Sequence, residues 1–263
     1  MVVAKHWLWE SLTWPDLSDT LERDALGILP LGACEQHGPH LPLATDSIIT
    51  EGILSAALEQ VESNAPILVL PTQRIGYSPE HAMFPGTLSI EVEHLLGAWA
   101  GTASTAINAG LKRLLLFNGH GGQVGLCSIL AQRLRLCDCV RVITCYSDDL
   151  GLPHGLIDAT EQRIGLHAGQ VETALMLALA PDLVQMEKAE NFTSNREDLT
   201  SNNQQLCSGG SARYAWSAKE LNESGAVGQA LAATLLQGEK ILAHRAKALA
   251  QVIEESLALP KVC

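Results

Sequence analysis

Charged side chains make up only 17% of this 263-residue chain, and the basic ones are the scarcer, 17 Lys and Arg against 29 Asp and Glu, for a formal net charge of -12. No cluster of Lys and Arg offsets that balance locally, so a surface for phosphate backbones is excluded and no nucleic-acid partner is expected. Long apolar runs are missing too, since no segment reaches the roughly twenty residues needed to span a bilayer. The first ten residues hold Trp7, Trp9 and Glu10 where a secretory leader would need unbroken apolar sequence. A soluble chain with no membrane partner is the expectation. C-x-x-C pairs are absent as well. The seven cysteines, at positions 34, 127, 137, 139, 145, 207 and 263, are odd in number and scattered, which predicts reduced thiols in the cytoplasm, most of them small buried apolar residues.

What is present is apolar. Hydrophobic residues reach 47%, too many for disorder and enough to hide surface between subunits, so a homo-oligomer is expected. The length suits one domain over residues 1–263. From residue 24 onward short apolar runs alternate with segments of helical period, the pattern of β-α-β units around a parallel sheet. Strands are predicted at 25–31, 67–70, 114–117 and 140–145. Helices are predicted from Asp46, a candidate cap, and over 91–109, 124–136 and 169–180. A last helix is predicted over 226–257 with a break at Gly238. A long loop to about Leu166 and an irregular, Ser- and Asn-rich excursion over 187–225 complete the layout.

Ligands of open parallel sheets bind outside the carboxyl ends of the strands, and the unusual polar clusters fall in those loops. The first strand is followed by Gly32-Ala33-Cys34-Glu35-Gln36-His37-Gly38-Pro39-His40-Leu41-Pro42 and then Thr45-Asp46. Glu35, His37 and Asp46 form a mixed nitrogen and oxygen donor set, which suits Zn, Mn or Fe better than Ca. The third strand ends in Asn118-Gly119-His120-Gly121-Gly122, where glycines permit a sharp turn while one imidazole projects. At His167-Ala168-Gly169-Gln170-Val171-Glu172-Thr173, Glu172 is the one charged side chain of an otherwise apolar helix. A carboxylate in that setting needs a cation or a proton.

These motifs resemble the creatininase (creatinine amidohydrolase) family from about Leu29 to Leu179. The resemblance also takes in Gly76-Tyr77-Ser78-Pro79-Glu80-His81 and Phe84-Pro85-Gly86-Thr87. It implies a three-layer α/β/α sandwich with a mainly parallel central sheet and two divalent metal ions per subunit. Glu35, Asp46 and His120 would surround one ion, with His37 and Asp46 on the other. Creatininase has a Glu where this chain has Gly122, and Glu172 is the carboxylate expected to fill that gap. The tryptophan that creatininase places just ahead of its equivalent of His167 is also missing, because no Trp lies between Trp99 and Trp216.

The resemblance therefore implies a hydrolase of carbon–nitrogen bonds in a small-molecule amide, other than ordinary peptide bonds, and a homo-oligomer with a hexamer as one option. Creatinine, formamidopyrimidines and a redox-cofactor precursor peptide are the substrate types the family offers. A histidine titrating near neutral pH suits proton transfer to the departing nitrogen, and His167 is chosen for it. Ser78, His81, Gly121 and His167 are the expected substrate contacts, and His40 is expected to line the loop or support a ligand. His6, His94, His154 and His244 read as ordinary surface or packing residues. A metal-independent acyl transferase using Cys34 and a non-catalytic metal-binding protein are the competing readings.

Overall fold

A computed structural model describes residues 5–137, 139–195, 205, 212 and 214–260. Four strands, β1 (Leu26–Leu31), β2 (Ile67–Val69), β3 (Arg113–Asn118) and β4 (Arg141–Tyr146), form an all-parallel sheet in the order β2-β1-β3-β4. In register, Leu31 of β1 lies beside Asn118 of β3, which lies beside Tyr146 of β4. The three ends therefore stand level at one edge of the sheet.

Side chains alternate between the two faces, as strand geometry requires. Leu26, Ile28, Ile67, Val69, Leu115 and Phe117 face one core, shared with helices α2 (Thr45–Leu58), α6 (Gln170–Leu179) and α8 (Leu235–Ala258). Leu29, Leu31, Leu68, Leu70, Leu114 and Leu116 face the other, shared with α3 (Val92–Asn108) and α4 (Val124–Cys137). The short α1 (Trp14–Glu22) closes that second core with Leu17 and Leu21. The expected three-layer sandwich is thus in place.

The adjacent strands β1 and β3 send their chains to opposite faces, into α2 and α4. A crevice opens at their carboxyl ends, the topological switch point where ligands bind in such sheets.

Several local expectations change. Asp46 does not cap α2, because Ala44 precedes the first helical residue and Asp46 lies buried inside the first turn. Its carboxylate turns to two histidines instead. The long loop after β4 contains α5 (Ala159–Ile164), capped by Asp158 Oδ1, which accepts from the backbone N–H groups of Thr160 and Glu161. Residues 226–234 are not α-helical and hold only a 3-10 turn, Ala230–Ala232. There β6 (Gly228–Gln229) pairs antiparallel with β5 (Asn191–Phe192), and α8 starts after a Thr234/Gln237 capping box. α8 also passes Gly238 unbroken: a Cβ there would sit 1.8 Å from the Ala174 carbonyl oxygen, so the glycine serves the close crossing of α8 on α6.

Much of the excursion over 187–225 lies outside the described residues, as do Cys207 and Cys263. Its described parts include β5 and the short α7 (Ala218–Leu221). Cys34, Cys127 and Cys145 are free thiols, and of these only Cys127 is fully buried. Cys139 is disulfide-bonded, against the expectation of uniformly reduced cysteines. Among the described residues no helix is long and apolar enough to cross a membrane.

Candidate metal centre

The loop after β1 brings in Glu35 and His37, and the first turn of α2 brings in Asp46 from the same connection. β3 delivers His120 through a tight local device. Asn118 Oδ1 accepts from the His120 backbone N–H at 3.1 Å, and its Nδ2 donates to the His120 carbonyl at 2.7 Å. Between them Gly119 passes so close to α2 that a Cβ would stand 1.8 Å from Thr50 Oγ1. The Asn-Gly-His order is therefore a steric requirement for aiming the imidazole. His167 is held by backbone pairing with Val227, and Glu172 follows in the first turn of α6.

These residues converge. Glu35, Asp46 and His120 offer ligand atoms within 4.8 Å of one another, and so do His37, Asp46 and Glu172, with Asp46 common to both sets. A third set, Glu35, His37 and His167, meets the same limit. Glu35, His37, Asp46 and His120 are fully buried, while the Glu172 side chain is 27% exposed, with Oε1 4.0 Å from His37 Nε2.

Three imidazoles repeat one orientation. His37 Nδ1 lies 3.1 Å from the Glu35 carbonyl oxygen, His120 Nε2 lies 2.9 Å from that of Tyr77, and His167 Nε2 lies 2.7 Å from that of Gln36. A carbonyl oxygen only accepts, so each of those nitrogens carries the proton. The opposite nitrogen then faces a carboxylate. His37 Nε2 is 3.1 Å from Asp46 Oδ1, His120 Nδ1 is 3.2 Å from Asp46 Oδ2, and His167 Nδ1 is 3.7 Å from Glu35 Oε1. Histidines whose outer N–H is tied to backbone are the usual setting of metal ligands.

Both Glu35 carboxylate oxygens and Asp46 Oδ2 are buried with no hydrogen-bond partner among the described residues. Burial drives the Glu35 carboxyl up to about 8, against the pull of His120. Burial also opposes charge on His37 and His120, yet Asp46 holds the first and Glu35 the second at about 10. Burial would raise Asp46 as well, and the His37 and His120 charges depress it far below the usual carboxylate range. Protons on the imidazoles thus supply the positive charge that the carboxylates demand, and a divalent cation would supply it without them.

The remaining expected residues divide. His81 lies 3.3 Å from Glu35 Oε1 through Nε2, and its Nδ1 accepts from Gln36 Nε2 at 2.7 Å. Ser78 is fully buried, its Oγ 3.3 Å from His120 Nε2. His40 does not reach the carboxylates; its Nε2 meets Thr173 Oγ1 at 2.9 Å and its ring stacks on Phe192. A cavity of about 770 Å3 opens against His167 and Glu172, walled by residues of the 148–172 segment and by Arg245, and Ser78, His81 and Gly121 do not line it. Gly121 instead lies beside the Tyr146 hydroxyl. His167 is held well below its ordinary value by burial and by His37 and His81, so it is neutral at pH 7 rather than titrating there.

Sequence reasoning missed Gln36, Glu80 and Glu161. Gln36 ties His81 to the Gly225 carbonyl. Glu161 accepts from the backbone N–H groups of Gln170 and Gln229, both at 2.8 Å, which fixes the start of α6. No local signal marks either role, whereas Glu80 stands between two residues that were chosen.

A parallel α/β sheet with a buried carboxylate–histidine centre at its switch point defines a metallohydrolase-like architecture. The family profile described as creatinine amidohydrolase matches residues 10–253, and this chain belongs to the creatininase family. It is 32% identical to the mycofactocin precursor peptide peptidase of Mycolicibacterium smegmatis over 222 residues, covering 82% of this chain and 79% of that protein. It is 29% identical to the creatinine amidohydrolase of Pseudomonas putida, over 67% of this chain and 73% of that protein. A creatininase in its manganese form superposes with a TM-score of 0.77 at 24% identity, over 96% of this chain and 99% of that one, which agrees in fold. These relatives are hydrolases, and so is the class to which this chain is assigned.

Proposed function

We propose that this chain hydrolyses a carbon–nitrogen bond of an amide, cyclic amide or formamide at a centre holding two divalent ions. Glu35, Asp46 and His120 would hold one ion, and His37, Asp46 and Glu172 would hold the other. The observation that carries the reading is the set of buried carboxylate oxygens left without hydrogen bonds and faced by imidazole nitrogens whose opposite N–H is tied to backbone. Zn, Mn or Fe suits that donor set. When bound, such a pair lowers the pKa of water towards neutrality and polarises a substrate carbonyl.

The chain's own residues do the rest. Glu172 completes the second set and takes the part of the carboxylate missing at Gly122. His167, with Nε2 engaged by the Gln36 carbonyl, has only Nδ1 free; held neutral, it accepts a proton there and releases it to the departing nitrogen. Substrate approaches through the cavity bounded by His167 and Glu172. His81 and Ser78 act behind Glu35 and His120 rather than on substrate. The active form is a cytoplasmic homo-oligomer, a hexamer as the resemblance implies, which light scattering tests.

A peptide-like amide is the second reading. The cavity, at about 770 Å3, exceeds what creatinine needs, and among the described residues no Trp, Tyr or Phe lines it. A hydrolysis screen with Mn or Zn supplied, comparing creatinine, formamidopyrimidines, small cyclic amides and short peptides, decides between the readings. Turnover of none of them with either metal would reject the assignment.

A further inference from the structure

Gly122 sits two residues beyond His120, and its bare α-carbon leaves a space that another residue enters. A Cβ built there would stand 2.1 Å from Glu80 Oε1 and 2.6 Å from His120 Nε2. Glu80 belongs to the short turn Pro79–His81, after β2, and its side chain is 15% exposed. From that turn three side chains address the centre: Ser78 Oγ and Glu80 Oε1 approach His120 Nε2 at 3.3 and 3.7 Å, and His81 Nε2 approaches Glu35 Oε1 at 3.3 Å. His120 Nε2 therefore donates to the Tyr77 carbonyl at 2.9 Å with two carboxylates beside it, Glu35 Oε2 at 3.3 Å and Glu80 Oε1 at 3.7 Å.

We infer that Glu80 is a positioning residue that acts through His120, forming a carboxylate–histidine pair on Nε2, the nitrogen opposite the one that faces Asp46, and that Gly122 is bare because Glu80 occupies its side-chain volume. A carboxylate at the outer N–H of a ligating histidine fixes its tautomer and raises its basicity towards a cation. Glu80 thus tunes one cation set, Glu35, Asp46 and His120, and not the other. This rests on the two-ion reading above.

The test is a stepwise titration of metal-free protein with Co2+, read by the visible d–d absorption and by competition with a chelator. Wild-type protein is expected to fill two positions. Glu80→Gln keeps the shape and removes the charge; it is expected to weaken one step by roughly 10–100-fold and to change the cobalt spectrum of that step alone. Glu80→Asp, with its charge on a shorter arm, is expected to recover part of the loss. If Glu80→Gln leaves both steps unchanged, or weakens both equally, the inference is overturned while the two-ion reading stands. A wild-type chain that binds no Co2+ overturns both.

Discussion

Asp46 stands between two imidazoles, with Oδ1 3.1 Å from His37 Nε2 and Oδ2 3.2 Å from His120 Nδ1. Each carboxylate oxygen thus addresses a different histidine, and each histidine belongs to a different ligand set. One side chain in the first turn of α2 therefore couples the loop after β1 to the loop after β3.

That coupling has a pH signature. In the metal-free chain His37 and His120 keep their protons up to about 10, above the ordinary 6.5. A histidine raised in this way contributes stability that is complete below the unfolded value and is lost as pH rises through the folded one. Glu35, raised to about 8 from 4.5, acts in the same direction, since it stays neutral in the fold where the unfolded chain already ionises. Metal-free protein is thus expected to lose stability between about pH 6.5 and 10. Metal affinity rises over the same interval, by up to about tenfold per pH unit for each proton displaced. Competition titrations with a chelator between pH 6.5 and 9 check this, and a flat profile would exclude proton displacement.

Glu172→Gln removes the carboxylate of the second set while leaving Glu35, Asp46 and His120 intact. Metal content measured by elemental analysis is expected to fall from two ions to one, and affinity at the lost position by more than the roughly 100-fold that an outer partner is worth. Turnover falls with it. Unchanged metal content would show that Glu172 is not a ligand.

Gly238→Ala tests the packing that carries Glu172. Its methyl group would meet the Ala174 carbonyl at 1.8 Å, so α8 and α6 must separate. Thermal unfolding is expected to report a loss of roughly 1–3 kcal/mol, as for other overpacked contacts. A gain in stability, as an exposed helical glycine would give, contradicts the close crossing.

Cys34 is adjacent to Glu35 and is a partly exposed free thiol, and among the described residues no hydrogen bond pairs its sulfur with a base. Cys34→Ser is expected to keep turnover within about threefold, whereas chelation abolishes it and Mn or Zn restores it; nucleophilic catalysis by the thiol would give the reverse. Rate measurements on the variant and on chelated protein separate the two.

The strands were legible because their short apolar runs are set off by Gly, Pro or polar residues, and each predicted boundary falls within a residue of the observed one. Glu35, His37, Asp46, His120 and Glu172 were legible for a related reason: each stands out chemically against a glycine-rich or apolar neighbourhood. What escaped depends on distant partners. Nothing near Asp46 shows that its carboxylate turns away from the helix start, since the partner that draws it is His120, 74 residues further along the chain. Gly238 reads locally as a helix break and becomes a contact only when α6 lies across it. The carboxylates of Glu80 and Glu161 look like surface charges until the folded chain places a histidine and two backbone N–H groups beside them.

A crystal of the protein soaked in Mn2+ and recorded at the manganese absorption edge gives the most direct test. Two anomalous peaks on either side of Asp46, one near His37 and Glu172 and one near His120 and Glu35, are the predicted result. A single peak, or peaks away from Asp46, would contradict the shared-carboxylate centre on which the hydrolase reading depends.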